Sequence, residues 1–260
     1  MKARLVGATQ GARWMGEGWR LFRAAPLTWA GVLFGSFALL LLLGGIPVLG
    51  APLFVVLTPA LWAGFMAVAR AAAGRGGETA VDFARTLLRE ARALAVLGVV
   101  YLAANVAAIA ATIPFGDGLL ADWVLRGKAP PRELIGSRAF MLDVALSMLF
   151  YTPAMLAYWF APVLVTWHRV GATKALFFSI TACLFNWRAF AAYALAVVLV
   201  FVAVFALLSL ASGLLVAAAG APPAATLLVV LPVLAIFAGA LIASAYASYR
   251  DVFGEAGQGA

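Results

Sequence analysis

Six long stretches of the chain are almost wholly apolar, and none has an ionisable residue at its centre. A helix needs about 20 apolar residues to cross a hydrocarbon core of about 30 Å. Because backbone groups in lipid must be satisfied within their own segment, these stretches predict six transmembrane helices. The fifth is longer than a crossing requires, which indicates tilt or an end outside the lipid. The stretches are Leu27–Gly44, Pro52–Ala69, Ala93–Ile113, Val144–Trp167, Phe190–Ala219 and Ala224–Tyr246.

The overall composition agrees with a chain built for lipid. Of its 260 residues, 66% are hydrophobic and 11% are charged, with a mean hydropathy of +1.06. Soluble domains are about half apolar and about a quarter charged. The spans use nearly the whole chain, so the sequence predicts one all-α polytopic membrane domain over residues 1–260. The first 25 residues lack the apolar core of a signal peptide, and we expect no cleaved leader.

Charge is distributed unequally between the two predicted faces. The net charge is +8, and 14 basic and 6 acidic residues fall on the face that carries both termini. The long loop 114–143 on the other face has 4 basic and 4 acidic residues. Basic residues accumulate on the cytoplasmic side of membrane proteins, so both termini are predicted to be cytoplasmic. Charge confined to one membrane face indicates anionic lipid as the partner, and not nucleic acid.

The even-numbered spans align with one another, which indicates an internal repeat. Residues 52–70, 151–169 and 232–250 each end in arginine, and a segment with helical periodicity precedes each odd-numbered span. The pattern predicts three parallel repeats, each made of an interfacial helix, a span and a returning span. Their predicted bounds are 8–70, 79–169 and 172–250.

The interfacial helices are predicted to lie in the headgroup plane with one face in lipid. In the first, Met15, Trp19 and Phe22 are expected on the apolar face, opposite a polar stripe. In the third, a side containing Leu176 and Trp187 is expected to pack between lipid and the bundle. The stripe of the first helix is Arg13, Glu17 and Arg20, and the apolar side of the third also holds Ile180, Cys183 and Leu184.

Basic and aromatic residues near these helices are candidates for contact with lipid headgroups. Arginine and lysine attract anionic lipid, and tryptophan favours the headgroup level. The candidates are Arg20, Arg23, Arg92, Trp167, His168, Arg169, Lys174, Trp187, Arg188 and Arg250.

The sequence offers little that could perform chemistry. His168 and Cys183 are the only histidine and cysteine, and a Cys–His nucleophile pair also needs a group that orients the base. Cys183 falls on an apolar face, where a thiol is inert. We therefore expect no catalytic, cofactor-binding or metal-binding residue, and no enzymatic activity. Asn105, near the middle of the third span, is expected either to form an interhelical hydrogen bond or to line a cavity.

The loop on the opposite face contains a further helical pattern. Leu119, Leu120, Trp123 and Val124 have helical spacing, and Pro130 and Pro131 follow them. The segment 117–140 is therefore predicted to form a short helix on the outer membrane face, followed by a turn.

Three segments resemble a bacterial family of six-span inner-membrane proteins of unknown function. They are FAPVLVTWHRVGATKALFFSITACLFNWRAF (160–190), YASYRDVFG (246–254) and GWRLFRAAP (18–26). The arrangement also resembles, more distantly, the membrane domain attached to some glycerophosphodiester phosphodiesterases. The resemblance implies an inner-membrane location and assigns no catalytic residue.

Two functions from different classes remain open at this point. The missing deep charges and the basic collar favour a structural or accessory protein that contacts anionic lipid and partner membrane proteins. Prolines in the even-numbered spans favour instead a transporter or channel for a small apolar or amphipathic solute, because kinked helices can surround a cavity. A membrane enzyme acting on lipid at the cytosolic surface is a third and weaker hypothesis.

Overall fold

A computed structural model describes residues 3–74, 80–115, 117–219 and 223–254. Within these ranges the chain forms ten α-helices and a 3-10 helix, Arg132–Leu134. The α-helices are α1 (Ala8–Ala24), α2 (Pro26–Gly44), α3 (Gly50–Ala72), α4 (Ala80–Arg89), α5 (Ala91–Ala110), α6 (Leu119–Arg126), α7 (Arg138–His168), α8 (Ala172–Phe185), α9 (Trp187–Ala219) and α10 (Pro223–Phe253).

Six of the described helices are long and apolar enough to cross a membrane, as predicted. They are α2, α3, α5, α7, α9 and α10. The helices α7 and α10 extend well beyond the predicted spans, since α7 begins at Arg138 and α10 ends at Phe253, and α9 begins slightly earlier than predicted, at Trp187. Polar and charged residues continue these three helices beyond the apolar stretches, which is why hydropathy alone places their ends too close together.

The chain divides into two compact units. Unit 1 comprises Met1–Leu42, Leu61–Arg85 and Ala182–Ala260, and unit 2 comprises Leu43–Ala60 and Thr86–Thr181. These boundaries pass through α2, α3, α4 and α8 and do not follow the predicted repeats, which stay a prediction. Residue 79, where the second repeat is predicted to begin, lies outside the described residues.

In unit 1, α1 packs lengthwise against α9 and α10. Gly11 lies against the backbone carbonyl of Ala189 in α9, so closely that a Cβ on Gly11 would be 2.0 Å from that oxygen. Seven residues later, Gly18 lies against Ala240 and Ser244 of α10. Small residues allow helix backbones to approach in this way. Between the two glycines, Trp14 is fully buried.

The contacts of α1 show its direction. Near its start Gln10 bonds to Asp251 of α10, and near its end Phe22 lies beside Gly239. The helix therefore runs antiparallel to α10, along the direction of a span. This corrects the prediction that it lies flat in the headgroup plane. On the predicted apolar face, Met15 and Phe22 are buried against the other helices and Trp19 is 43% exposed.

The helix α8 buries small residues and exposes large ones. Ala175, Ser179 and Ala182 are buried, whereas Phe177 and Leu184 are 64% and 53% exposed. Lipid is as apolar as leucine, so burying a large side chain against protein gains little in a membrane, and close packing of small residues is preferred. Cys183 is buried, as predicted.

In unit 2, Ser179 of α8 is inserted into the hydrogen-bond ladder of α7. The backbone N–H of Phe160 donates to Ser179 Oγ at 3.0 Å, and the Ser179 hydroxyl donates to the Leu156 carbonyl at 2.7 Å. In an undisturbed helix Phe160 would donate directly to Leu156. The hydroxyl therefore ties α8 to α7 through the backbone, at a point where inserted side chains commonly bend helices.

The predicted helix in the outer loop is present as α6. Gly118 before it and Gly127 after it both have positive φ, of 67° and 69°, a conformation that glycine adopts without steric cost. Asp143 of α7 is fully buried and accepts a hydrogen bond from the backbone N–H of Leu120 at 3.3 Å. A carboxylate at a helix N-terminus is favourable, so this contact fixes α6 to α7.

Candidate functional site

The most connected polar site of unit 1 joins α1 to the end of α10. We call Gln10, Trp14, Glu17, Arg250 and Asp251 the terminal cluster. Gln10 Nε2 and Trp14 Nε1 both donate to Asp251 Oδ2, at 2.8 and 2.9 Å. Arg250 Nη2 donates to Asp251 Oδ1 at 3.2 Å and also forms an ion pair with Glu17.

The environment of the terminal cluster suits a structural role. Both oxygens of Asp251 accept hydrogen bonds from protein donors. The side chains of Glu17 and Asp251 are only 13% and 14% exposed. A carboxylate with its lone pairs engaged and little access to solvent is poorly placed to take a proton from a substrate. The cluster therefore fixes helix position.

Aromatic packing encloses the terminal cluster on its apolar side. The Trp14 ring meets Phe190 and Tyr193 of α9 edge-on, with centroids 5.3 and 5.7 Å apart. The Tyr193 hydroxyl is 2.6 Å from Ser244 Oγ, beside the point where Gly18 contacts α10. One tryptophan thus joins three helices, through its ring to α9 and through its N–H to α10.

The segment before α1 is fastened by a single buried asparagine. The Val6 N–H donates to Asn186 Oδ1 at 2.7 Å, and Asn186 Nδ2 donates to the Arg4 carbonyl at 3.1 Å. The Arg4 N–H donates to the Val252 carbonyl at 2.7 Å. The N-terminal segment and the end of α10 therefore lie together, as expected of a chain with an even number of spans.

Most of the predicted headgroup residues of unit 1 are exposed. The Arg20 side chain is 75% exposed, and Arg23 and Arg188 are also exposed. The Arg23 guanidinium is 5.9 Å from the centre of the Trp19 ring, and the Arg188 guanidinium is 5.5 Å from that of Trp187. Arg250 differs, because it is committed to Glu17 and Asp251 within the terminal cluster.

The remaining headgroup candidates lie in unit 2. Arg92 near the start of α5 and Lys174 in α8 are exposed. Trp167 and His168 end α7 and are half-buried, and Arg169 after them is exposed in a left-handed conformation, with φ of 53°. Each candidate is therefore at a helix end or on α8.

The middle of unit 2 contains polar side chains that sequence reasoning missed. The hydroxyls of Tyr101 and Tyr151 are hydrogen-bonded, and the Tyr158 hydroxyl donates to the Leu97 carbonyl at 2.7 Å. Asn105 donates to the Tyr101 carbonyl at 2.7 Å, within its own helix and not across to another. The bonds between α5 and α7 are thus made by tyrosines.

Residues of the terminal cluster were also missed, apart from Arg250. Gln10, Trp14 and Asp251 have no motif that unites them, and Glu17 was placed on the polar stripe. The available signal was the spacing of Gly11, Trp14 and Gly18, because two glycines seven residues apart with a tryptophan between them mark one face of a closely packed helix.

Comparison with known proteins places the chain in a family. It is 31% identical over 262 residues to the "Probable inner membrane protein" of Burkholderia thailandensis, and the match covers 96% of this chain and 93% of that protein. No protein-family model and no solved structure matches the chain. A match of this extent, together with six described helices suited to crossing a membrane, shows that the chain belongs to the same family of multi-pass inner-membrane proteins.

Proposed function

We propose that this chain is a non-enzymatic structural or accessory protein of the inner membrane. Its terminal face, by which we mean the face that carries both chain termini, contacts anionic lipid and partner membrane proteins. The observation that carries the proposal is that some charged residues of unit 1 are paired within the protein while others are exposed. Glu17, Arg250 and Asp251 hold α1 to α10, whereas Arg20 and Arg23 of α1 are exposed.

The electrostatics of this face favour lipid as the first partner. A basic side chain near an anionic leaflet contributes about 1 kcal/mol to membrane association. The exposed Trp19 stands beside Arg23, an arrangement suited to the headgroup level. The resemblance to membrane domains attached to some glycerophosphodiester phosphodiesterases agrees with a role close to lipid, and it stays a prediction.

The rival function, transport of a small apolar or amphipathic solute, has its own support. Prolines lie inside three of the long helices, at Pro59 in α3, Pro153 and Pro162 in α7, and Pro232 in α10. The Ser179 hydroxyl is hydrogen-bonded to the α7 backbone between two of these prolines. Helices interrupted in this way can move and open a path.

The orientation of the terminal face is tested by reporter fusions. Fusions after Arg75, Arg169 and Phe253 are expected to report cytoplasm, because the basic residues concentrate on that face. Fusions within 117–138 are expected to report periplasm. A periplasmic C-terminus would overturn the charge argument and remove the basis for contact with the cytoplasmic leaflet.

The lipid contact is tested by extracting the protein with its surrounding lipid and measuring phospholipid composition by mass spectrometry. We expect anionic lipid to be enriched over the bulk membrane by at least about twofold, given about 1 kcal/mol per basic residue. The enrichment should fall when Arg92, Lys174 and Arg188 are replaced by Gln.

The matched control replaces Arg126, Lys128 and Arg132 by Gln, which removes the same charge from the loop predicted to lie on the opposite face. This variant should retain the enrichment. Equal enrichment in wild type and both variants would contradict the proposal. Solute flux through vesicles containing the purified protein, absent from empty vesicles, would favour the transporter.

A further inference from the structure

The position of α1 locates the membrane boundary in unit 1. From Gln10 to Phe22 the helix follows α10 from Asp251 back to Gly239, which is twelve residues on each helix. At 1.5 Å per residue, the two helices lie side by side over about 18 Å.

Arginines on the outer side of α1 exclude it from the hydrocarbon core. Arg13, Arg20 and Arg23 are exposed, and an arginine in the middle of a bilayer is strongly unfavourable. The hydrocarbon must therefore begin beyond Arg23. The next helix, α2, starts at Pro26 and has 19 residues, about 28 Å, which matches a core of about 30 Å.

The lengths of the other two helices agree with this boundary. With 33 and 31 residues, α9 and α10 are about 50 and 46 Å long. Each exceeds the hydrocarbon core by about 16 to 20 Å, which is the length over which α1 packs against α10. The elbow between α1 and α2 therefore lies at the lipid headgroups, and the rest of α1 extends outward with the ends of α9 and α10.

The elbow carries groups that suit a phosphodiester. Arg20 and Arg23 are three residues apart and so share a helix face. Arg20 forms a long ion pair of 3.7 Å with Glu17, which is also engaged by Arg250. Among the described residues, Arg23 has no acidic partner, and its guanidinium lies over Trp19, which stacks on Phe22 at 6.0 Å. Arginine binds phosphate oxygens through two parallel hydrogen bonds.

We infer that the α1–α2 elbow is a binding site for one anionic phospholipid, with Arg20 and Arg23 holding the headgroup phosphate and Trp19 packing beside it. The inference deepens the proposed function and rests on it, because it assigns the general lipid contact to one place on the molecule.

The test titrates the delipidated protein in detergent with phosphatidylglycerol. Native mass spectrometry measures how many lipid molecules each protein binds and how tightly. Replacing Arg20 and Arg23 together by Gln should weaken the tightest binding about 30-fold, from the usual contribution of two basic residues near a headgroup. Replacing both by Lys should weaken it less, because charge remains and bidentate geometry is lost.

The matched control replaces Arg4 and Arg13 by Gln, the same loss of charge farther from the boundary, because Arg4 is exposed and lies beside the end of α10. Arg13 is ten residues from Arg23, about 15 Å along the helix. That distance exceeds the screening length of about 8 to 10 Å, so the tightest binding should be unchanged. Variants are compared only where their thermal stability in detergent equals that of the wild type. If the variant with Gln at both positions unfolds, the variant with Lys at both positions is used in its place.

Three results would overturn the elbow site. Equal weakening in both Gln variants would show a diffuse basic surface, which leaves the proposed function intact. No preference of the wild type for phosphatidylglycerol over phosphatidylcholine would contradict the site and the proposed function together. Displacement of the lipid by inorganic phosphate at low concentration would show that the elbow binds free phosphate.

Discussion

Replacing Asp251 by Ala is expected to detach α1 from α9 and α10. The change leaves Gln10 and Trp14 without their acceptor and removes one of the two carboxylates that balance Arg250. Breaking a buried, hydrogen-bonded charge network by removing one partner costs about 3 to 5 kcal/mol. The lower end is expected here, because the Arg250 side chain is 26% exposed.

Two measurements check this prediction. The free energy of unfolding in mixed micelles should fall, and trypsin should cleave the native protein faster at Arg13 once α1 separates from its partners. The control is Asp122→Ala, which removes an exposed ion pair with Arg126 within α6. Such a pair contributes about 0.3 to 0.5 kcal/mol. If the two variants lose equal stability, the terminal cluster does not hold α1.

The spans could be predicted from the sequence because one physical effect determines them. Only a helix satisfies its backbone in lipid, and a run of apolar residues is the direct consequence. The helix α6 could be predicted for a similar reason, since its apolar residues have helical spacing and glycines flank it. The predicted positions of the helix ends were less accurate, because α7 and α10 continue into polar residues that hydropathy does not count as part of a span.

The buried faces of α1 and α8 could not be predicted by hydrophobicity. That criterion selects large apolar residues, such as Trp19 in α1 and Leu184 in α8, and both are exposed. Small residues let helix backbones approach closely, so the buried face of each of these helices is the one with small residues. The corresponding positions are Gly11 and Gly18 in α1, and Ala175 and Ala182 in α8.

The terminal cluster was beyond prediction for a different reason. Glu17 and Arg250 are separated by 233 positions, and one sequence holds no information on which distant charges pair. The acidic residue among arginines on α1 did not identify its partner, and the simplest interpretation of it was a solvated stripe. Contact of the exposed basic residues with headgroups stays a prediction, which rests on the tendency of basic residues to collect at the ends of spans.

Replacing Gly18 by Ala is expected to be as damaging as the loss of Asp251, although it adds a single methyl group. The new Cβ would lie 2.3 Å from the Ala240 carbonyl oxygen and 2.6 Å from the Ser244 backbone N. Backbone atoms of a packed helix cannot yield as a flexible side chain can. We therefore expect α1 to be displaced and the free energy of unfolding in mixed micelles to fall by about 3 kcal/mol, the upper range for overpacking.

The same substitution two residues earlier provides the control, with the opposite sign. Gly16 faces open space, with no atom within 4 Å of a Cβ placed there. Alanine is favoured over glycine inside a helix by about 1 kcal/mol, so Gly16→Ala should stabilise the protein or leave it unchanged. If Gly18→Ala were as stable as Gly16→Ala, α1 would not be packed against α10. The helix would then lie on the lipid surface, as its charge pattern alone suggests, and the boundary at Arg23 would lose its foundation.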